Sequence, residues 1–147
     1  MKKIIYKLTY LTALFALFYS CDDVERVYYN DGAETVLTLS DDNLVLNEEN
    51  AANEILTLTW TQPDFGFSAA ALYSVQIDVQ GGDFSNPQII SVGGSFDKTF
   101  TVEELNAKLL SLSMLPNEEG VASFRIKATL SEYQEIYSNT VNLSVTP

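Results

Sequence analysis

Hydrophobic and polar residues alternate along the sequence from about residue 35 to its end. The alternation is clearest at residues 55–61, where Leu56, Leu58 and Trp60 share one face and three threonines occupy the other. A repeat of two residues is the side-chain period of a β-strand that buries one face, so the pattern predicts a strand here. Further short strands are predicted at residues 36–39, 43–46, 88–92, 96–100, 124–130 and 141–145.

Another alternating stretch covers residues 73–80. It predicts that four apolar side chains point inward and four polar side chains point outward, namely Tyr73, Val75, Ile77 and Val79 inward and Ser74, Gln76, Asp78 and Gln80 outward. The glycines at positions 81 and 82 follow directly and are typical of the turn that ends a strand.

One segment departs from this period. Thr101 and Glu104 have the spacing of a capping box, in which each side chain satisfies a free backbone amide at the start of a helix. The spacing predicts a helix over residues 102–112 that ends before Pro116. Its apolar stripe consists of Leu105, Leu109 and Leu112.

These elements together favour an all-β fold. About seven or eight short strands with turn residues between them, and one inserted helix, are typical of an antiparallel β-sandwich of immunoglobulin or fibronectin type III character. We assign residues 35–147 to this one domain and expect Trp60 in its core. Since the sequence has one cysteine, no internal disulfide is available, and apolar burial must stabilise the fold.

The first 20 residues have the pattern of a secretory signal peptide. Lysines at positions 2, 3 and 7 precede an uncharged apolar stretch at residues 8–19. This stretch is shorter than the roughly 20 apolar residues that a transmembrane helix requires.

Cys21 follows the signal and is predicted to be the lipid-bearing first residue of the mature chain. A lone cysteine cannot form an internal bridge, and the chain has no histidine to activate it as a nucleophile. Ser20 and Cys21 resemble a lipobox, although Phe18 and Tyr19 are bulkier than its usual residues. The alternative is a free thiol after conventional cleavage.

Residues 21–34 are predicted to be a lipidated tether between the membrane and the domain. The acidic pair Asp22 and Asp23 resembles the surface-export signal of Bacteroidetes lipoproteins. The alternative is an acidic linker that is simply solvated.

The charge of the chain excludes one class of partner. All 20 acidic residues follow Cys21, together with five of the eight basic ones, so the mature chain has a formal charge of −15. Such a charge repels phosphates, and we expect no nucleic acid partner.

The sequence predicts no catalytic, cofactor or metal site. Paired carboxylates serve glycoside hydrolysis, but the pairs here lie in turns or on strand faces of a small sandwich, and no enzyme is expected. Residues 41–43 and 81–83 offer oxygen ligands for calcium without the spacing of an EF-hand. A zinc site is not expected, because the chain has no histidine and no second cysteine to bind the metal.

Exposed aromatic rings could stack on sugars, and four are candidates for glycan contact: Phe65, Phe67, Tyr133 and Tyr137. The alternative for loop aromatics is that they pin one end of the sandwich, and for Tyr137 that it belongs to the core.

The succession of these segments resembles the N-terminal domain of SusE-type outer-membrane lipoproteins of the Bacteroidetes. The resemblance covers residues 35–147 and is carried by residues 56–61, 73–78, 84–87, 101–106, 125–128 and 137–141. It implies a non-catalytic, glycan-binding protein of a starch-utilisation system, anchored in the outer membrane through lipid on Cys21 and facing the cell exterior.

In that family the N-terminal domain serves mainly as a spacer, and glycan binding lies in domains that follow it, so the resemblance assigns no binding residue here. The implied partners are a transporter and sister surface lipoproteins. The alternative is a structural or adhesive immunoglobulin-like module that binds protein through an exposed sheet edge.

Overall fold

The computed structural model describes residues 34–66, 70–131 and 134–147. The signal peptide and the tether, with Cys21, Asp22 and Asp23, lie outside the described residues. The described part contains nine strands: β1 (Leu37–Leu39), β2 (Asn43–Val45), β3 (Glu54–Trp60), β4 (Leu72–Val79), β5 (Gln88–Gly93), β6 (Asp97–Thr101), β7 (Gly120–Ser131), β8 (Gln134–Tyr137) and β9 (Val141–Thr146). A 3₁₀ turn (Glu48–Asn50) precedes β3, and one α-helix, α1 (Val102–Ser111), follows β6.

The strands form two sheets. The first has three antiparallel strands in the order β1-β3-β6. The second has the order β2-β9-β7-β4-β5, and β8 also pairs with β7. Because β7 is 12 residues long, its first half pairs with β9 and its second half with β8.

The chain changes sheets between its first two strands. β1 pairs antiparallel with β3, whereas β2 pairs in parallel with β9 in the other sheet. The crossing takes place at residues 40–42, where the Asp41 carboxylate accepts a hydrogen bond from the Asn43 N–H at 3.0 Å. The N-terminal part of the domain therefore contacts both sheets.

One core lies between the two sheets. Leu56, Leu58 and Trp60 of β3 are buried there, as predicted, and Trp60 contacts Tyr73 of the opposite sheet with ring centroids 6.0 Å apart. The predicted all-β architecture with one short helix is confirmed. The prediction that Val79 points into the core is wrong, because this residue ends β4 and its side chain is 38% exposed.

The helix forms as predicted. Thr101 is the N-cap, and its hydroxyl accepts a hydrogen bond from the Glu104 N–H at 3.2 Å. Leu105 and Leu109 are fully buried, and the helix ends at Ser111 with Leu112 as the C-cap. The Glu104 carboxylate pairs with Lys98 Nζ at 2.8 Å, which ties the first turn of the helix to β6.

In the part of the chain that the structure describes, no helix has both the length and the apolar character needed to cross a membrane.

Candidate functional site

The structure separates the four aromatic residues that the sequence proposes for glycan contact. Phe67 and Tyr133 lie outside the described residues. Phe65 is 1% exposed and belongs to the core, which corrects its assignment as a glycan contact. Its buried ring holds the loop against the sandwich. Burial of a phenylalanine side chain stabilises a fold by roughly 1.5–3 kcal/mol.

Tyr137 is the one described candidate with an accessible ring. It ends β8 on the outer face of the second sheet and is 38% exposed, so it is not a core residue. The face around it is therefore the candidate site.

Two aromatic rings enclose an arginine on this face. The guanidinium carbon of Arg125 lies 4.1 Å from the ring centroid of Phe84 and 4.2 Å from that of Tyr137. Attraction between a cation and the faces of two rings favours this arrangement. We call Phe84, Arg125 and Tyr137 the arginine stack.

The pairing of β4 with β7 places Arg125 beside Gln76. The two residues are opposite each other in the antiparallel register, and Arg125 Nε donates a hydrogen bond to Gln76 Oε1 at 2.7 Å. Gln76 points outward as predicted, yet only 5% of it is exposed. Its burial shows that the outer face of the sheet is covered at this point.

The loop between β4 and β5 supplies the Phe84 ring. The buried Asp78 carboxylate accepts hydrogen bonds from the N–H of Phe84 at 2.9 Å and from the N–H of Val79 at 2.8 Å. A Cβ added to Gly82 would lie 2.4 Å from the Asp78 carboxylate, so a larger residue at position 82 would force this carboxylate to move. Asp78 therefore positions the loop that carries Phe84.

On the Tyr137 side of the arginine stack, Glu135 bonds both Tyr137 and Lys127. Tyr137 donates its hydroxyl proton to Glu135 Oε2 at 2.9 Å, and Lys127 Nζ lies 2.5 Å from Glu135 Oε1. The hydrogen bond from Lys127, followed by that from Tyr137, lowers the pKa of Glu135. Burial, followed by the bond to Glu135, raises the pKa of Tyr137. At neutral pH the phenol is therefore neutral and the carboxylate is charged.

Sequence reasoning missed Arg125, Phe84 and Gln76. The alternating pattern places Gln76 and Arg125 on outward faces of two strands, but it does not give the register between them. Phe84 adopts a positive φ of 56° in a turn whose backbone is bonded to Asp78, and the alternating pattern does not give this conformation. For Gln76 and Arg125 the missing information is tertiary.

A concave region lies at the start of α1, away from the arginine stack. This cleft has a volume of about 450 Å³ and is lined by Glu48, Glu103 and Asn106 among others. The side-chain oxygen Oδ1 of Asn106 is buried there and has no hydrogen-bond partner among the described residues. The described residues that line the cleft include no aromatic ring, so it offers no platform for stacking a sugar.

The candidate calcium ligands have structural roles in their turns. The Asp41 carboxylate accepts a hydrogen bond from the N–H of Asn43, and the Asp83 carboxylate accepts one from the N–H of Ser85 at 2.9 Å. The hydrogen bond from the Ser85 side chain, followed by that from its N–H, lowers the pKa of Asp83. Within the described ranges, no three acidic or cysteine side chains are grouped so that they could hold a metal ion.

The chain is similar to one known family. A model of the family described as "SusE outer membrane protein" matches residues 22–127, which span β1 to β6, α1 and most of β7. No curated protein matches the chain. Because the match covers more than half of the 147 residues, the chain belongs to the SusE outer membrane protein family.

Proposed function

We propose that the protein is a non-catalytic lipoprotein on the outer surface of the outer membrane, in a glycan-binding and uptake system. The observation that carries this proposal is the family match, which begins at residue 22, directly after Cys21. In this proposal residues 35–147 act mainly as a spacer or scaffold, with weak binding of starch or another glycan. The partners are a transporter and sister surface lipoproteins.

The strand order supports an immunoglobulin-like type of sandwich. The run β9-β7-β4-β5 in one sheet corresponds to the order G-F-C-C′ of such domains, with β1, β3 and β6 in the opposite sheet. Such a domain suits a spacer, because its core between two sheets keeps its dimensions fixed in the absence of a ligand.

The anchor in this proposal is lipid on Cys21. One acyl chain binds a membrane weakly, whereas several bind it stably, so the proposal requires a multiply acylated cysteine. Asp22 and Asp23 act as the surface-export signal, and residues 21–34 act as the tether.

Two carboxyls of the described surface are poorly suited to act as the general acid of glycoside hydrolysis. Glycoside hydrolysis requires a general acid whose pKa is raised. The carboxyls of Asp83 and Glu135 have lowered pKa values, because Ser85 bonds the first and Lys127 bonds the second. They are held as anions, which suits structure and binding.

The localisation of the full-length protein tests the proposal. Cells expressing the wild type are expected to carry it in the outer-membrane fraction, where added protease degrades it on intact cells. Cys21→Ala removes the acyl acceptor and is expected to release the chain from the membrane. Asp22→Ala with Asp23→Ala is expected to keep the anchor and lose exposure to protease. A Cys21→Ala protein that remains in the membrane would contradict the proposal.

A second candidate function is the binding of a protein partner by strand addition. Among the described residues β5 forms an edge of the second sheet and carries the exposed Ile89, so a partner strand would pair along its outer side. Replacing Ile89 with a charged lysine is expected to abolish crosslinking to such a partner. Unchanged localisation and unchanged crosslinking in Ile89→Lys would contradict this second function.

A further inference from the structure

We propose that the cleft at the start of α1 is a docking surface for a protein partner, and that it takes a basic side chain, lysine or arginine, with apolar residues beside it. The cleft is the concave region of about 450 Å³ described above, and Glu48, Glu103, Asn106 and Leu110 line it. The proposed function names partners of the domain, and this cleft goes beyond it by adding a surface separate from β5.

The cleft lies at the end of the sandwich opposite to the entry of the chain. The Thr35 hydroxyl donates to the Thr61 carbonyl, so the domain begins just beyond the last residue of β3. Val102 lines the cleft, and its N–H donates to the Asn53 carbonyl at 3.0 Å, just before the first residue of β3. Since β3 has seven residues, the two ends are roughly 20 Å apart. With the anchor of the proposed function at Cys21, the cleft faces away from the membrane, where another protein can reach it.

The charged residues that line the cleft are both acidic. Glu48 and Glu103 are exposed there, and neither forms an ion pair with a described residue. The described lining residues include no lysine and no arginine. Both carboxylates therefore attract a cation that enters the cleft and repel an acidic partner.

The start of α1 does not offer the cleft as an anion site. Helix N-termini bind anions through free backbone N–H groups, but the first three N–H groups of α1 already have acceptors. The acceptors are the Asn53 carbonyl for Val102, the Ala51 carbonyl for Glu103 and the Thr101 hydroxyl for Glu104, at 3.0, 3.0 and 3.2 Å. The cleft therefore presents acceptors and favours a ligand that donates.

Asn106 adds one more acceptor. It is half-buried in the wall of the cleft, and its Oδ1 is covered and has no hydrogen-bond partner among the described residues. A buried oxygen without a donor is unfavourable, and rotation of the side-chain amide would bring it to a ligand in the cleft. An ammonium or guanidinium group carries donors and no acceptor, so it matches this oxygen as well as the carboxylates.

Apolar side chains around the cleft favour a polypeptide over a free small cation. Leu110 lines the cleft and is exposed, and Val45 and Leu115, which adjoin other lining residues in the sequence, are exposed as well. Exposed apolar residues with a charged rim are typical of protein interaction surfaces. The partner is therefore expected to present its basic side chain between apolar ones.

Selection of short random peptides on the full mature protein tests this inference. We expect the retained peptides to be enriched in a lysine or arginine that has apolar neighbours. Because the whole chain is acidic, the selection is repeated on two double variants, Glu48→Gln with Glu103→Gln and Asp42→Asn with Asp97→Asn. Each removes two negative charges from exposed positions, but only the first pair lines the cleft.

Fluorescence anisotropy then measures the affinity of one selected peptide. Glu48→Gln with Glu103→Gln is expected to weaken its binding at least about tenfold, since two charged contacts are lost. The Asp42 and Asp97 pair is expected to bind like the wild type, because salt screens distant charges. Citrulline in place of arginine in the peptide removes the charge and keeps the shape, so a similar loss is expected with the wild-type protein. Thermal unfolding reports whether each variant is folded.

The other outcomes overturn the inference. Retained peptides without a basic residue, or no enriched peptide at all, exclude the cationic ligand. Equal weakening by both double variants shows attraction to the net charge and not to the cleft. Binding that Ile89→Lys abolishes, and that the Glu48 and Glu103 pair leaves unchanged, assigns the peptides to β5. The protease experiment decides the surface location separately, so failure of this inference leaves the proposed function standing.

Discussion

Tyr137 shows how a single side chain is tuned by its neighbours. Burial and the Glu135 carboxylate both raise its pKa, because both disfavour the phenolate. We predict that Glu135→Gln lowers the pKa of Tyr137, since it removes a negative charge and leaves Lys127 unpaired nearby. NMR titration of labelled tyrosines measures this. Tyr73 is the matched control. Its pKa is raised by burial, without a contribution from Glu135, so Glu135→Gln should leave its titration unchanged. An unchanged Tyr137 titration would contradict the assignment.

The lowered pKa of Glu135 also predicts how stability depends on pH. A carboxyl whose pKa is lowered in the folded state stabilises that state above its unfolded pKa of about 4.3. This contribution is lost as the pH falls through the folded pKa. Wild type and Glu135→Gln should therefore differ in free energy of unfolding at neutral pH and converge in acid. Denaturant titrations at several pH values test this, and a constant difference would count against it.

Trp60 is the residue on which the core depends most directly. It is buried against Tyr73 of the opposite sheet. No internal disulfide joins the two sheets, because the sequence has one cysteine. We predict that Trp60→Ala lowers the free energy of unfolding by about 3–5 kcal/mol, the usual loss for a buried aromatic. Val45→Ala, at an exposed position on β2, should change it by less than about 0.5 kcal/mol. Equal melting temperatures for the two variants would place Trp60 outside the core.

At the scale of the element, α1 depends on its cap. Thr101→Ala removes the acceptor for the Glu104 N–H and should destabilise the domain by about 1 kcal/mol. Thr101→Ser keeps the hydroxyl and is the matched control, with a smaller expected loss. Thermal unfolding and helical circular dichroism compare the two. An alanine variant as stable as the serine variant would show that packing of Leu105 and Leu109 alone holds the helix.

The elements that the sequence predicts are those whose signals are local. The capping box lies within four residues, and the repeat of two residues in β3 requires no knowledge of its partner strands. The sequence does not predict β8, because Gln134–Tyr137 is short and has few apolar residues. Its structure comes from pairing with the second half of β7. The assignment of β1 and β2 to different sheets is also a tertiary property.

The candidate site was harder to predict than the elements for the same reason. Gln76 and Arg125 are 49 positions apart, and the β4 to β7 register brings them together. Phe65 and Tyr137 were both proposed as exposed aromatics. Phe65 is buried in the core, whereas Tyr137 is exposed on the surface. The sequence does not show this difference, because burial depends on how each segment packs against the sheets.

At the scale of the whole molecule, the two sheets are joined along one side by Asn139. Its Oδ1 accepts from the Leu37 N–H at 2.8 Å, and its Nδ2 donates to the Leu37 carbonyl at 3.2 Å. Leu37 is in β1 of the first sheet, whereas Asn139 lies between β8 and β9 of the second. The Asn139 side chain thus makes the two hydrogen bonds with Leu37 that a neighbouring strand would otherwise make at this edge of β1.

This link carries the last prediction. Asn139→Ala leaves the N–H and the carbonyl of Leu37 without their partner and should lower the free energy of unfolding by about 1–3 kcal/mol. Thr140→Ala, its exposed neighbour, should change it by less than about 0.5 kcal/mol. Amide exchange localises the effect, because the Leu37 amide should exchange faster while the Ser40 amide, bonded to the Thr57 carbonyl, should follow global unfolding. If both amides keep their wild-type protection, β1 is held by β3 and the core alone, and the two sheets do not need Asn139 to stay closed.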